Sequence, residues 1–199
     1  KRSYHIRPTL SDIEDFYNSL YPWDCVALDI ETTLEPAPLV LCIALSKRPD
    51  EALCVPLTLA YWGSKRTLDE AYSWVRAICE HSCEKVLQNG LYDSYWLAWE
   101  WSCSTPLRNW RWDTLAMHQC LDPATDRDLL TDKRKSGGPQ HSLAVLGSLY
   151  TREPFWKDKG RWADRPADEA LWLYCCTDAA VTRELLDPLK EELTTTGLL

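Results

Sequence analysis

Long apolar stretches are missing from this sequence. The longest, Leu39-Val40-Leu41-Cys42-Ile43-Ala44-Leu45, has seven residues, enough for a buried strand and far short of the ~20 a bilayer-crossing helix needs. A charged-then-apolar leader is also missing, so export is not indicated, no membrane partner is expected and an intracellular setting is. Zinc-ligand spacing is absent. Cys79 and Cys83 stand four apart and Cys175-Cys176 are adjacent, with no histidine or second cysteine pair to close a tetrahedron. The nine cysteines are an odd number, so a full disulfide framework would leave one over, and reduced, mostly buried thiols are expected. Methionine is scarce, one residue against eleven tryptophans, and none precedes Lys1, which points to a domain cut from a longer chain. Basic excess is lacking too: 22 Lys and Arg face 30 Asp and Glu, a formal net charge of −8.

What is present suits a soluble globular domain. The 199 residues are 45% apolar and 26% charged, so one domain spanning 1–199 is expected, with its core at about 23–190. There is no internal repeat and no low-complexity segment. Ser11-Asp12-Ile13-Glu14 and Thr67-Leu68-Asp69-Glu70 have the form of capping boxes, each predicting a helix start. Three short apolar runs, Cys25 to Ile30, Leu39 to Leu45 and Ala52 to Val55, predict an antiparallel meander. Strands at Lys85–Gln88 and Asn109–Trp112 then alternate with helices at Tyr92–Trp101 and Asp113–Leu121. A short helix at His141–Tyr150 precedes a long one from Asp168 to Leu186, disturbed by Pro188. Strands first and helix–strand alternation after them predict an α/β layered domain with a mixed central sheet flanked by helices.

Acids stand in places that should be apolar. In Val26-Ala27-Leu28-Asp29-Ile30-Glu31-Thr32, strand alternation puts Asp29 and Glu31 on one side with Ile30 opposite. Two carboxylates that close repel, and a cation between them relieves the cost, Mg²⁺ or Mn²⁺ being the hard ions oxygen ligands suit. An Asp-x-Glu pair taken alone also reads as a strand ending in exposed acids. Asp93 falls just inside a helix that follows a strand end, where the helix dipole by itself favours an acid. Tyr174 and Asp178 share a helix face with Leu171 and Val181, which should be the core side. A buried Asp there is rare unless paired or bound to a cation, and the tyrosine could aim a water or simply fill the core.

Taken in order, Asp29-x-Glu31, Asn89-x-x-x-Asp93 and Tyr174-x-x-x-Asp178 resemble the three motifs of the DEDD 3′→5′ exonucleases, in the tyrosine-bearing subclass. The flanks Gln88-Asn89-x-x-Tyr92-Asp93 and Asp178-Ala179-x-Val181-Thr182 resemble the proofreading domain of family A DNA polymerases. Asp113-Thr114-Leu115-Ala116 with Leu121-Asp122-Pro123 and His141-x-Leu143-x-x-Leu146 are similar to that family's intervening segments. The resemblance runs roughly from Cys25 to Leu186. It implies a ribonuclease H-like fold and a phosphodiesterase using two Mg²⁺ or Mn²⁺ ions roughly 4 Å apart. On it, Asp29, Glu31 and Asp178 hold one ion, Asp29 bridges to a second, and Asp93 reaches that one directly or through water. Tyr174 orients the attacking water, and Thr32, Gln88 and Asn89 contact the terminal nucleotide. The expected substrate is a single-stranded DNA 3′ end, and the expected neighbour a polymerase domain in the same parent chain. A ribonuclease D-like exoribonuclease and a catalytically silent nucleic-acid-binding domain are the alternatives.

Positive charge concentrates between Arg127 and Arg165, where nine Lys or Arg face five Asp or Glu. Lys133-Arg134-Lys135 and the Phe155–Trp162 segment could meet phosphates and stack on bases, or be a solvated loop and an aromatic packing flap. Trp96, Trp99, Trp101, Trp110 and Trp112 are expected to fill the core or an edge rather than bind DNA.

Overall fold

Along β2 (Cys25–Thr32), Val26, Leu28 and Ile30 alternate with Ala27, Asp29 and Glu31. Period-two alternation sends the two sets to opposite faces of the sheet. The first set is buried with Ile13 of α1 (Leu10–Asn18), Val75 and Ile78 of α3 (Lys65–Glu80) and Leu97 of α4 (Leu91–Trp101). On the opposite face Ala27 packs with Val86, Leu146, Val181 and Leu185. This computed structural model describes residues 1–33, 39–103, 106–123, 141–157 and 168–199. The Lys133-Arg134-Lys135 loop and residues 158–165 of the basic stretch lie outside them.

Six strands form one mixed sheet in the order β1-β4-β3-β2-β5-β6. The expected meander is there: β3 (Val40–Ser46) pairs antiparallel with β2 and with β4 (Glu51–Pro56). β5 (Glu84–Leu87) joins β2, and β6 (Trp110–Asp113) joins β5, both parallel. A further parallel strand, β1 (Ser3–His5), pairs with β4. With three residues it carries no alternation that sequence could reveal.

The long helix α7 (Glu169–Thr195) crosses one face of the sheet. Its Cys175, Cys176, Ala179 and Ala180 pack on Cys42, Ala44, Ala52 and Cys54. Small side chains on both sides let helix and sheet approach closely. That approach brings α7 to the acids of β2. The remaining helices are α2 (Leu59–Trp62), α5 (Thr114–Leu121) and α6 (Leu143–Tyr150).

Three expectations need correction. The first capping box sits two residues earlier, on Thr9 and Asp12, and α3 is capped by Ser64, which accepts from the Thr67 N–H. Each proposed cap, Ser11 and Thr67, already lies inside its helix. Pro188 does not end α7, because Leu185, Leu186, Leu189 and Leu193 are buried on both sides of it. Trp99 is 67% exposed. On α4, Asp93 and Leu97 form the inner face one turn apart, and Trp99 falls on the outer one with Tyr95. Trp96, Trp101, Trp110 and Trp112 do pack against the core clusters. All nine cysteines are free thiols, six of them buried. Among the described residues no helix is long and apolar enough to cross a membrane.

Candidate active site

β2 outruns its neighbour. Pairing with β5 stops at Ala27 and Val86, while β2 continues to Thr32. Beyond that point the Ile30 N–H, between the two acids of β2, donates to Asp93 Oδ1 at 3.0 Å. Asp93 is thereby fixed over the strand from the first turn of α4, and it is 5% exposed.

The turn that aims α4 depends on residue type. Asn89 is in the left-handed region at φ 58°, which Asn tolerates better than most residues. At Gly90 a Cβ would lie 2.6 Å from Leu87 Cβ and 2.7 Å from the Trp110 ring, so no side chain fits. Asp113 holds the turn from below. Its carboxylate accepts the N–H groups of Asn89 at 3.1 Å and Gly90 at 2.8 Å, and those of Leu115 and Ala116 at the start of α5. Gln88 commits both ends of its amide: Nε2 donates to His141 O at 2.8 Å and Oε1 accepts from Thr114 Oγ1. Gln88 therefore braces the turn, whereas Asn89 is exposed. At the strand end, Thr32 Oγ1 and Tyr92 Oη are hydrogen-bonded at 2.7 Å, joining β2 to α4.

The opposite wall is α7. Asp178, 4% exposed, receives the Trp156 Nε1 hydrogen bond at 2.6 Å on Oδ1 and the Lys157 ammonium on Oδ2. The same ammonium donates to Tyr174 Oη at 2.7 Å and lies 4.5 Å from that ring's centroid. One turn away along the sheet, Cys175 Sγ is 3.4 Å from Asp29 O and 3.5 Å from Asp29 Oδ2. Asp29, Glu31 and Cys175 can place ligand atoms within 4.8 Å of one another.

So much negative charge in one crevice is resisted. Burial, then Asp178, Asp93 and Glu31, push the Asp29 carboxyl far above its ordinary range. Burial and then Asp178 carry Glu31 to about 9. Burial lifts Asp93 to about 7, against the pull of the Ile30 N–H. Burial raises Asp178 as well, opposed by Lys157 and Trp156, and it raises the Tyr174 phenol, helped by Asp178. Carboxylates in this arrangement ionise together only around a cation. Apart from the Cys175 thiol the donors are hard carboxylate oxygens, which fit Mg²⁺ or Mn²⁺.

A mixed six-stranded sheet in this order, with acids at the end of its central strand and on the helix laid across it, is a ribonuclease H-like exonuclease fold. Residues 4–194 match the model of a family described as 3′-5′ exonuclease, and the chain belongs to that family. It is therefore a domain of the 3′-5′ exonuclease family. Solved structures show the same fold at low identity. The catalytic core of RRP6 from Trypanosoma brucei is 17% identical with a TM-score of 0.64, over 100% of this chain and 49% of that one. The Aedes aegypti Nibbler EXO domain is 16% identical at TM-score 0.66, over 98% and 90%. Escherichia coli RNase D is 16% identical at TM-score 0.63, over 99% and 47%. The chain thus spans about half the length of the RRP6 core and of RNase D. No curated protein matches it.

Sequence reasoning missed Lys157, Trp156 and Cys175 as neighbours of the acids. Trp156 is 6% exposed and cannot stack on a base, so of the two readings of its segment the packing one holds there. Lys157 turns inward rather than toward solvent. A lone lysine after a tryptophan carries no spacing signal. Cys175 could have been placed from its helix register, four residues past Leu171 and three before Asp178 on the buried face.

Proposed function

We propose that this chain hydrolyses single-stranded DNA from its 3′ end, proofreading for a family A-like polymerase domain of the same parent chain. The observation that carries this reading is the meeting of Asp29, Glu31, Asp93 and Asp178, from three separate elements, around one crevice beside Tyr174. Asp29, Glu31 and Asp178 would hold one Mg²⁺ or Mn²⁺, and Asp29 with Asp93 a second. Such ions supply an acidified water and charge stabilisation for both the attacking and the leaving oxygen. The protein does the positioning. Tyr174 Oη orients the water for in-line attack on phosphorus. The P–O3′ bond then breaks, a nucleoside 5′-monophosphate leaves, and the shortened strand keeps a 3′-hydroxyl. Thr32 and Tyr92 at the strand end, with Asn89 on its exposed turn, receive the terminal nucleotide, and Gln88 keeps that turn in place.

The preference for a single strand follows from charge. A chain of net −8 has little to grip two phosphate backbones with, whereas a frayed end needs few phosphate contacts and gains roughly 1–3 kcal/mol per stacked base. Three DNAs of equal length test it: single-stranded, fully paired, and paired with a mismatched 3′ terminus. The single strand and the mismatched end should be trimmed faster than the paired one. Equal rates on all three would defeat the proofreading role. RNase D of E. coli is described as an exoribonuclease involved in structured RNA processing, which favours a second reading on RNA. Matched DNA and RNA oligonucleotides decide between them.

A further inference from the structure

Lys157 is the feature of the crevice that the exonuclease reading leaves unused. Its ammonium makes two directed contacts, one to Asp178 Oδ2 and one to Tyr174 Oη at 2.7 Å. Its side chain is 22% exposed and that of Asp178 is 6%. A lysine in such a place is costly unless its partners are fixed. They are fixed from behind. The neighbouring Trp156 is buried and donates to the other oxygen of Asp178 at 2.6 Å. Its ring lies over Gly147, where an added Cβ would come within 2.8 Å of it. The indole thus locks the backbone from which Lys157 reaches forward. Among the described residues, Lys157 is also the cation whose charge acts on Asp29, Glu31, Tyr174 and Asp178 together.

We propose that Lys157 is a positioning residue for hydrolysis, holding the Tyr174 hydroxyl and the Asp178 carboxylate in register so that the hydroxyl faces the attacking water. This rests on the reading of Tyr174 given above. The ammonium donates to the phenol oxygen and so fixes where that oxygen sits. Bound to Asp178 Oδ2 as well, it ties the phenol to the carboxylate one helical turn away. Removing it should therefore harm turnover through Tyr174, and it should not weaken metal binding, because a competing positive charge has left.

The test is a double-mutant cycle of Lys157→Met and Tyr174→Phe, with Mn²⁺ binding followed by calorimetry and cleavage on a single-stranded oligonucleotide. Lys157→Met should lower kcat roughly tenfold to a hundredfold, leave KM within about twofold, and bind Mn²⁺ at least as tightly as the unaltered chain. With Phe at 174, the same change should cost about twofold or less in kcat, since its target is gone. Lys157→Arg should recover part of the loss. An equal loss in both backgrounds, weakened Mn²⁺ binding, or unchanged kcat in Lys157→Met overturns the proposal. If Lys157→Met does not fold, Lys157→Gln takes its place in the cycle and the same outcomes decide. An unaltered chain that cleaves with Mn²⁺ alongside an equally fast Lys157→Met sinks the lysine's role alone. An unaltered chain with no metal-dependent 3′→5′ cleavage sinks the functional reading and this inference together.

Discussion

On the strand wall of the crevice, Asp29 and Glu31 have Cys175, a weak thiol donor, as a close neighbour. On the helix wall, Asp178 is met by the Trp156 indole and the Lys157 ammonium, and Tyr174 shares that ammonium. The same chemical group is thus left to repel on one side and is neutralised from within on the other. On the proposed reading the strand wall would depend on ions from solution, whereas the helix wall is already held by its own side chains. Preorganised polar groups are what a reacting centre needs where charge moves. Uncompensated acids are what a cation site needs to bind tightly. On the proposed reading Asp178 would bind an ion with the strand-wall acids while belonging to the preorganised wall that carries Tyr174.

The largest effects should be on activity and should not separate the walls. Asp29→Ala and Asp178→Ala should each lower cleavage by about a thousandfold or more, measured with Mn²⁺ on a labelled single strand. Stability should separate them. Relief of repulsion alone would raise the melting temperature of the metal-free chain on losing either acid. The structure keeps that expectation for Asp29 and reverses it for Asp178. Removing Asp178 strands a half-buried ammonium and a buried indole N–H, costing about 3 kcal/mol. Thermal melts in chelator should show Asp29→Ala at or above the unaltered chain and Asp178→Ala well below it. Two melts that move together would erase the contrast.

Next in size is Tyr174→Phe, which should slow turnover by roughly one to three powers of ten. Calorimetry should find its Mn²⁺ affinity unchanged if the hydroxyl serves water and not the ions. A smaller effect concerns pH. Asp93 at about 7 and Glu31 at about 9 lie above their ordinary 3.8 and 4.5. Raised carboxyl pKa values mean that the unfolded chain gives up these protons first. Stability is then fully present at low pH and is lost as pH rises through about 7 and on to about 9. The metal-free melting temperature should fall across that window, and saturating Mn²⁺ should flatten the fall. A metal-free chain whose melting temperature rises from pH 6 to pH 9 would contradict the strand-wall description. The smallest effects compare two tryptophans. Trp156→Phe removes the indole bond to Asp178 and should cost about 1–2 kcal/mol by denaturant titration. Trp99→Ala, out on the exposed face of α4, should stay within about 0.5 kcal/mol.

Much of this was readable beforehand, and the reasons are specific. Alternation in β2 put Asp29 and Glu31 on one face because strand period fixes it, and helix period did the same for Tyr174 and Asp178. What stayed hidden depends on contacts far apart in the chain. Lys157 reaches Asp178 across 21 positions, and Asp113 reaches Gly90 across 23, with no local pattern to announce either. β1 is too short for a period, and the caps were misplaced because Ser11 and Thr67 mimic caps that Thr9 and Ser64 provide. The exposure of Trp99 was hidden because an aromatic-rich helix looks apolar on every side.

On the proposed function, the acids of the two walls act as one site that shortens a strand from its 3′ end. The direct measurement is a gel of 5′-labelled single-stranded DNA incubated with Mn²⁺ and the unaltered chain, beside folded Asp29→Asn and Asp178→Asn variants. The expected result is a ladder shortening one nucleotide at a time with the unaltered chain, and full-length DNA with either variant and in chelator. Internal cleavage, an undiminished ladder from either variant, or no shortening at all would contradict it.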